Sequence, residues 1–287
     1  VDSGNSRFEG GNLLIDKVNG TLLWANGSII PDNITKIGKY AYTNNTGLKS
    51  VNIPKGVKVI DDYAFQGCKN LTSIIIPDGV TTIGSQVFRE CTSLKSISIP
   101  DSVTSLGGTQ FYNCKSLTSV KLPKGLKSIP AQTFGQCYKL KSVKIPDSVT
   151  YIGNDAFVRS GITKVTIPKN IKIIDELAFT EAKYLKSVTI PDKVTFIDQN
   201  AFSNCTSLTS VTIGKNVKNI SYAAFMGCKK LKTIKIKSAK LKSVGDYAFS
   251  GINKKAVFKA PKSKLSKYRK LLKKKTGFKS SMKVKKL

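Results

Sequence analysis

Apolar positions in this chain recur with one long period. Leu71-Thr-Ser-Ile-Ile-Ile-Pro-Asp-Gly-Val-Thr-Thr-Ile-Gly-Ser-Gln-Val-Phe-Arg-Glu-Cys91 returns 23 residues later as Leu94-Lys-Ser-Ile-Ser-Ile-Pro-Asp-Ser-Val-Thr-Ser-Leu-Gly-Gly-Thr-Gln-Phe-Tyr-Asn-Cys114. A fixed period of this length marks a stack of identical supersecondary units and overrides any single-element assignment. Phe is the clearest ruler, at Phe65, Phe88, Phe111, Phe134, Phe157, Phe179, Phe202, Phe225 and Phe249, with Tyr42 one period earlier. Ten units are therefore visible. Pro31, Pro54, Pro77, Pro100, Pro123, Pro146, Pro168 and Pro191 form a second ruler, whose slot passes to Gly214 and Lys237.

Within each unit the Ser-Val-x-Ile core alternates outward and inward and is β-branched, which predicts a short, half-buried strand. Val143 and Ile145 point in, while Ser142 and Lys144 point out. Pro has no N–H to donate and ends the strand. Val149 and Ile152, three apart, re-enter the core on a turn. Asp62, Ser85, Asn154, Glu176 or Asp246 then precedes the ruler, in the manner of an N-cap before a short helical turn. One unit cannot bury its apolar groups alone, and stacking buries them against copies of themselves. A buried Phe contributes roughly 1.5–3 kcal/mol relative to exposure, so the Phe column carries much of the stacking energy. Every coil runs the same way, which makes the strands parallel and the connection right-handed.

The Leu-x-Ser-Val-x-Ile-Pro strand and the Ala-Phe-x-x-Cys turn, as in Leu208 to Ile213 and Ala201 to Cys205, resemble the BspA-like leucine-rich repeat family of bacterial cell-surface proteins. The likeness covers roughly residues 29–252. Gln110 and Thr133 replace the Ala, Gly161-Ile162 shortens one unit, and the last two units lack the Pro. The resemblance implies an α/β fold: a right-handed leucine-rich-repeat solenoid of about ten repeats with caps. Its parallel sheet lies on the concave face, with short helical or 3-10 turns on the convex side. Three segments follow: an N-terminal cap hairpin (1–28), the solenoid (29–252) and a Lys-rich C-terminal cap (253–287).

Asn19-Gly20 between the apolar runs Leu13-Leu-Ile15 and Leu22-Leu-Trp24 predicts the cap hairpin, with Trp24 as a core residue of that cap. Val1-Asp-Ser-Gly reads as a mature or trimmed start. At the other end, Ala256 to Pro261 reads as a last strand, and Lys262 to Lys275 as an amphipathic helix. Leu265, Tyr268, Leu271 and Leu272 form its apolar stripe, and Met282-Lys-Val284-Lys adds a short strand. No apolar run approaches the length of a membrane span.

The six cysteines raise the question of disulfides. Cys68, Cys91, Cys114, Cys137, Cys205 and Cys228 all sit three residues after the ruler Phe, in a slot that Asn45, Ser160, Ala182 and Ile252 fill elsewhere. That is a small packing slot, and free Cys behaves there as a small hydrophobe.

Charge changes the picture most. There are 48 Lys and Arg against 17 Asp and Glu, a net charge of +31. A field of this size draws polyanions. From Asn253 onward the chain has fifteen basic residues and no acidic one. Lys267, Arg269, Lys270, Lys273, Lys274 and Lys275 form the outer face of the predicted terminal helix and are candidates for polyanion contact. On the sheet, Lys121, Lys144 and Lys164 occupy outward slots of adjacent coils and are the candidate basic patch of a protein-binding face.

The adjacent carboxylates Asp61-Asp62 and Asp175-Glu176 occupy turn slots of the repeat, and turn chemistry explains them without catalysis. The chain has no His, the commonest general base and metal ligand, and no phosphate-binding, dinucleotide or zinc motif. No catalytic, cofactor or metal site is assigned.

By resemblance the chain is a non-enzymatic secreted or surface protein of a bacterium, acting as a monomer in adhesion to host matrix proteins or other surface proteins. The alternative is a wall-associated scaffold held to anionic wall polymers or sulfated glycans through its basic end. Nucleic acid ranks lower, because the basic run lacks interleaved aromatics for base stacking.

Overall fold

The computed structural model describes residues 8, 9, 12–273 and 275–287. Packing divides the chain into two units, one up to Pro146 and one from Asp147 onward. Both are right-handed, parallel-stranded leucine-rich-repeat solenoids, in which each coil contributes to two ladders.

The first ladder is the anticipated Ser-Val-x strand. In the first unit Ser50–Asn52 pairs with Ser73–Ile75, and Ser96–Ser98 with Ser119–Lys121. In the second, Ser187–Thr189, Ser210–Ile213, Thr233–Ile236, Val257–Ala260 and Lys283–Lys286 form one parallel sheet. Every inward residue of these strands before Val257 is a β-branched aliphatic, and all are buried. The strand-ending Pro then closes a tight turn through its carbonyl: Val80 N–H donates to Pro77 O at 3.0 Å, and Val194 N–H to Pro191 O at 3.1 Å.

The second ladder is made of two-residue strands that carry the re-entrant Ile. Lys36–Ile37, Val59–Ile60 and Thr82–Ile83 pair in the first unit. Ile173–Ile174, Phe196–Ile197, Asn219–Ile220 and Ser243–Val244 pair in the second.

The side bearing the ruler is built from chained tight turns. In every coil the residues two before and two after the ruler have positive φ: Tyr63 (59°) and Gly67 (69°) around Phe65, Asn200 (54°) and Asn204 (56°) around Phe202. Left- and right-handed residues alternate, so a continuous helix cannot form. Alternation also sorts the N–H groups. Those of Tyr63, Phe65 and Gly67 donate to the next coil, at Ser85, Val87 and Arg89 O (2.9, 3.1 and 2.8 Å). Those of Ala64, Gln66 and Cys68 turn back three residues within their own coil. Asp62 accordingly caps no helix; its Oδ1 accepts Ser85 N–H at 2.7 Å across the stack. Gln110, in place of the small Ala, inserts its amide between Val87 N (2.8 Å) and Gly84 O (2.8 Å).

Behind these turns the rings stack. Centroids lie 4.9–5.9 Å apart from Tyr42 to Phe134 and 5.1–5.5 Å apart from Phe157 to Phe249. The cysteines form a parallel column of free, buried thiols. Each thiol donates to the carbonyl of the ruler one coil back, as Cys91 does to Phe65 O at 3.2 Å and Cys205 to Phe179 O at 3.1 Å. Burial pushes the Cys68 thiol up to about 12 and raises Cys91, Cys114, Cys137 and Cys205 as well.

At the N-terminal side Leu13–Asp16 and Thr21–Ala25 form an antiparallel hairpin whose second strand pairs with Lys36–Ile37. Trp24 is not in its core. A register shift between Leu14 and Ile15 accompanies the burial of Leu22 and Ala25 and leaves Trp24 46% exposed. At the C-terminal side a short helix, α1 (Leu265–Leu272), buries Tyr268 and Leu272. Tyr268 Oη donates to Ser238 O at 2.8 Å. The carbonyls of Lys275 and Thr276 receive the N–H groups of Tyr247 and Phe249, both at 2.8 Å, ending the directional ladder. Gly277 (φ 87°) is needed there, since a Cβ would fall 2.4 Å from Ser250 Cα.

Packing and burial give two expected outcomes. Phe202→Ala, between rings 5.1 and 5.3 Å away, should lower stability by about 3–5 kcal/mol in urea unfolding, whereas exposed Thr209→Ala should change it by less than about 1 kcal/mol. The thiols should resist a disulfide reagent at pH 8 in the native state. All six should react in denaturant, since the thiolate is the reactive species.

Candidate functional site

The outward slots of the strand ladder form a repetitive exposed surface in each unit. Their backbone groups are consumed by neighbouring strands, so only side chains are on offer. In the first unit the register sets Ser96 beside Ser119 and Ser98 beside Lys121. Lys121 and Lys144 are exposed there. In the second unit Lys164 is exposed. Two of the three candidate lysines thus belong to the first unit and one to the second.

In each unit a broad groove lies where the sheet meets its Pro edge. The first, about 860 Å³, is floored by Ile53, Pro54, Ile76 and Pro77, with Asp32, Lys55 and Asp78 at its margins. Ile75, in an outward strand slot, also lines it and is 69% exposed. The second, about 870 Å³, has the same position in the repeat and different chemistry. Lys164, Lys169, Lys193 and Lys237 line it, together with Thr166, Ser187 and Thr189. Its one carboxylate, Asp192, is held by Lys215, through the backbone N at 3.0 Å and Nζ at 3.8 Å. Lys193 Nζ donates to Asn170 Oδ1 at 2.8 Å.

Sequence reasoning missed a second feature of this unit. The register places Lys235 opposite Lys259, and Lys259 opposite Lys285, on three successive strands. Among the described residues no carboxylate pairs with any of them. Like charges directly opposed across a sheet weaken the pairing by up to about 1 kcal/mol each, so this column is a cost within the fold.

The terminal helix presents Lys267, Arg269, Lys270, Lys273 and, just beyond it, Lys275 to solvent. Lys274 lies outside the described residues. Arg269 also supports the fold, because its Nη2 donates to Val284 O at 3.2 Å and ties the helix to the last strand.

The acidic pairs serve the scaffold. Asp61 binds Lys36 Nζ at 2.8 Å and accepts Asp62 N–H at 2.9 Å. Burial pulls the Asp61 carboxyl up, but these two contacts outweigh it and leave it below its usual range. Asp175 accepts the Tyr151 hydroxyl at 2.6 Å, and Glu176 accepts Gln199 Nε2 at 2.6 Å. Neither pair lines either groove. Arg159, hydrogen-bonded at 2.9 Å, likewise lowers Glu181. A carboxyl depressed in the folded state gives stability that is present above its unfolded value, about 4, and lost as pH falls through the folded one. Thermal stability should therefore hold down to about pH 5 and fall below about pH 4. Asp61→Asn should flatten that fall, by less than about 1 kcal/mol because the pair is half exposed.

Comparison with known proteins follows the same lines. The family model of the BspA type leucine rich repeat region matches in six copies, over residues 25–114, 58–186 and 173–270. No protein with a curated description matches. Among solved structures, a leucine rich cell surface protein from Faecalibacterium prausnitzii is 24% identical, over 99% of this chain and 96% of that one, with a TM-score of 0.58. A leucine-rich repeat protein from Bacteroides ovatus is 22% identical over 100% of both chains, with a TM-score of 0.46. The first of these shares the fold, and the family matched is a repeat scaffold, not an enzyme family. No helix among the described residues is long and apolar enough to cross a membrane. With the matches running together from residue 25 to residue 270, the chain belongs to the BspA-type leucine-rich repeat family.

Proposed function

We propose that this chain is a non-enzymatic, surface-bound or secreted bacterial binding module that captures other proteins in adhesion through the outward face of its strands. In this reading residues 1–28 and 253–287 cap the solenoid of 29–252, and the module works as a monomer. The observation that carries it is the division of the strand slots. Inward slots hold only buried aliphatics, while outward slots vary among Ser, Thr, Asn, Ile and Lys at no cost to the core. Solenoids of stacked repeats offer such faces as broad binding surfaces. The Faecalibacterium neighbour, described as a cell surface protein, supports the location.

The test is capture of immobilised matrix proteins. Lys121→Gln with Lys144→Gln should weaken capture by about two- to tenfold, and separately Lys164→Gln by about two- to fivefold, the scale of exposed charge pairs. Undiminished capture by both variants would remove this face as the site.

A second reading rests on the outer face of α1: retention on an anionic wall polymer. Deleting the helix is a poor test, because its Tyr268 is buried against the last coil and donates to Ser238 O at 2.8 Å. Lys267→Gln with Lys270→Gln and Lys273→Gln keeps the cap. Under this reading the triple variant should elute from such a polymer at clearly lower salt.

A further inference from the structure

We infer that the second unit holds a linear polyanion, a chain of sulfate or phosphate esters, along a lysine track on its strand face. The inference rests on the binding-module reading above and names a ligand class and a site within it.

The track has two connected parts. Lys235, Lys259 and Lys285 stand in register on consecutive strands, about 4.8 Å apart at the backbone. Lys235 and Lys237 are two apart on one strand and its extension, both exposed. Lys237 then reaches into the groove beside Lys164, Lys169 and Lys193. It comes from two coils away, and the coil between contributes nothing to the lining. That coil has Gly214 in the Pro slot, packed so tightly that a Cβ would lie 2.3 Å from Pro191 O. The glycine leaves the way open for Lys237, which joins the column at Lys235 to the groove.

Three observations define the occupant. The lysines of the column have no carboxylate partner among the described residues, and an anion lying across them would relieve their mutual repulsion. The interior of this face is closed: Ser210–Ile213, Thr233–Ile236 and Val257–Ala260 are each paired on both sides, and Ile190 N–H is taken by Thr212 O at 2.8 Å. An acidic peptide therefore cannot cross the column by strand addition, which only the edges at Ser187–Thr189 and Lys283–Lys286 leave open. Lysine is a point charge without the guanidinium fork that reads carboxylates in bidentate fashion. No aromatic ring lines the groove, so nucleobases have nothing to stack on. Repeated tetrahedral oxyanions, with sugar or ester oxygens meeting Thr166, Ser187 and Thr189, fit what is present.

The experiment uses the whole chain. Binding of heparin and of sodium polyphosphate is titrated against salt, with poly-glutamate, single-stranded DNA and unmodified dextran alongside. The track variant is Lys235→Gln, Lys237→Gln, Lys259→Gln and Lys285→Gln; the control is the α1 triple variant. For the wild type, one or both of the first two polymers should bind, and which one binds separates sulfate from phosphate. The track variant should bind at least about tenfold more weakly at about 100 mM salt, with the slope of log affinity against log salt reduced by about 3. Its melting temperature without ligand should hold or rise, since repulsion is removed. The α1 variant should keep its affinity within about twofold. Equal losses in both variants, or loss in the α1 variant alone, would overturn the track. Equal or tighter binding of poly-glutamate or DNA would overturn the ligand class. Matrix-protein capture separates the levels: retained capture with no polymer binding sinks this inference alone, while loss of both sinks the binding-module reading too.

Discussion

The interaction on which the rest depends is the one-way backbone ladder of the ruler turns. In most coils three N–H groups point at the following coil, as those of Leu177, Phe179 and Glu181 do at Gln199, Ala201 and Ser203. No coil can satisfy its own donors, and a buried N–H left without a partner costs roughly 1–3 kcal/mol. Each coil therefore templates its neighbour and needs it. The same directionality decides how a stack must end. The last coil faces outward with donors, so its cap has to bring carbonyls, and Lys275 and Thr276 bring them. The first ruler coil faces the other way with acceptors, and Ala25 N–H meets Ala41 O at 2.9 Å. Caps that differ in sequence from the repeats, and from each other, follow from a ladder with two unlike ends.

That ladder is also the part of the fold least legible in the sequence. Period, strand, Pro edge and Phe column can be read directly, because each is a steric demand that only a few residue types meet. Alternating left-handed backbone usually announces itself through glycine. Here the two left-handed slots hold Tyr, Gln, Glu, Thr, Asp, Leu, Ala, Asn and Arg, and only Gly67, Gly227 and Gly251 betray them. The strain of a non-glycine residue there, about 1–2 kcal/mol, is carried by the inter-coil bonds and the ring stack. A short helical turn is the natural expectation from propensity, and tertiary hydrogen bonding overrides it. Trp24 departs from expectation for another reason: a one-residue shift in a hairpin flips which side chains face the core, and nothing in Leu22-Leu-Trp24 marks that shift.

The candidate surface is half legible. Lys235 stands in the outward row that the repeat defines, but Lys259 and Lys285 lie beyond the last ruler, where the period no longer guides the eye. The cap strands Val257–Ala260 and Lys283–Lys286 continue the register without continuing the sequence signature. Similarly, Lys169, Lys193 and Lys237 are ordinary turn residues until the stacking shows that they line one groove. Lys164 is visible because it replaces a Ser in an otherwise uniform row, a substitution that stands out against the repeat itself.

A stack of this kind separates the residues that hold it together from those that meet the outside. The ring column, the thiol column and the aliphatic slots are closed to solvent, and the thiols are held protonated. Chemistry at those positions would first require the coils to part. The outward slots are under no such constraint, and a Ser-to-Lys exchange there adds charge without changing a single core contact. This is how a chain with a net charge of +31 remains compatible with one fold. The repulsion is spread over positions whose packing energy is near zero, while the stabilising contacts sit behind the sheet. An uncompensated lysine column on such a face is consequently poor evidence about stability and good evidence about partners, because the scaffold gains nothing from it.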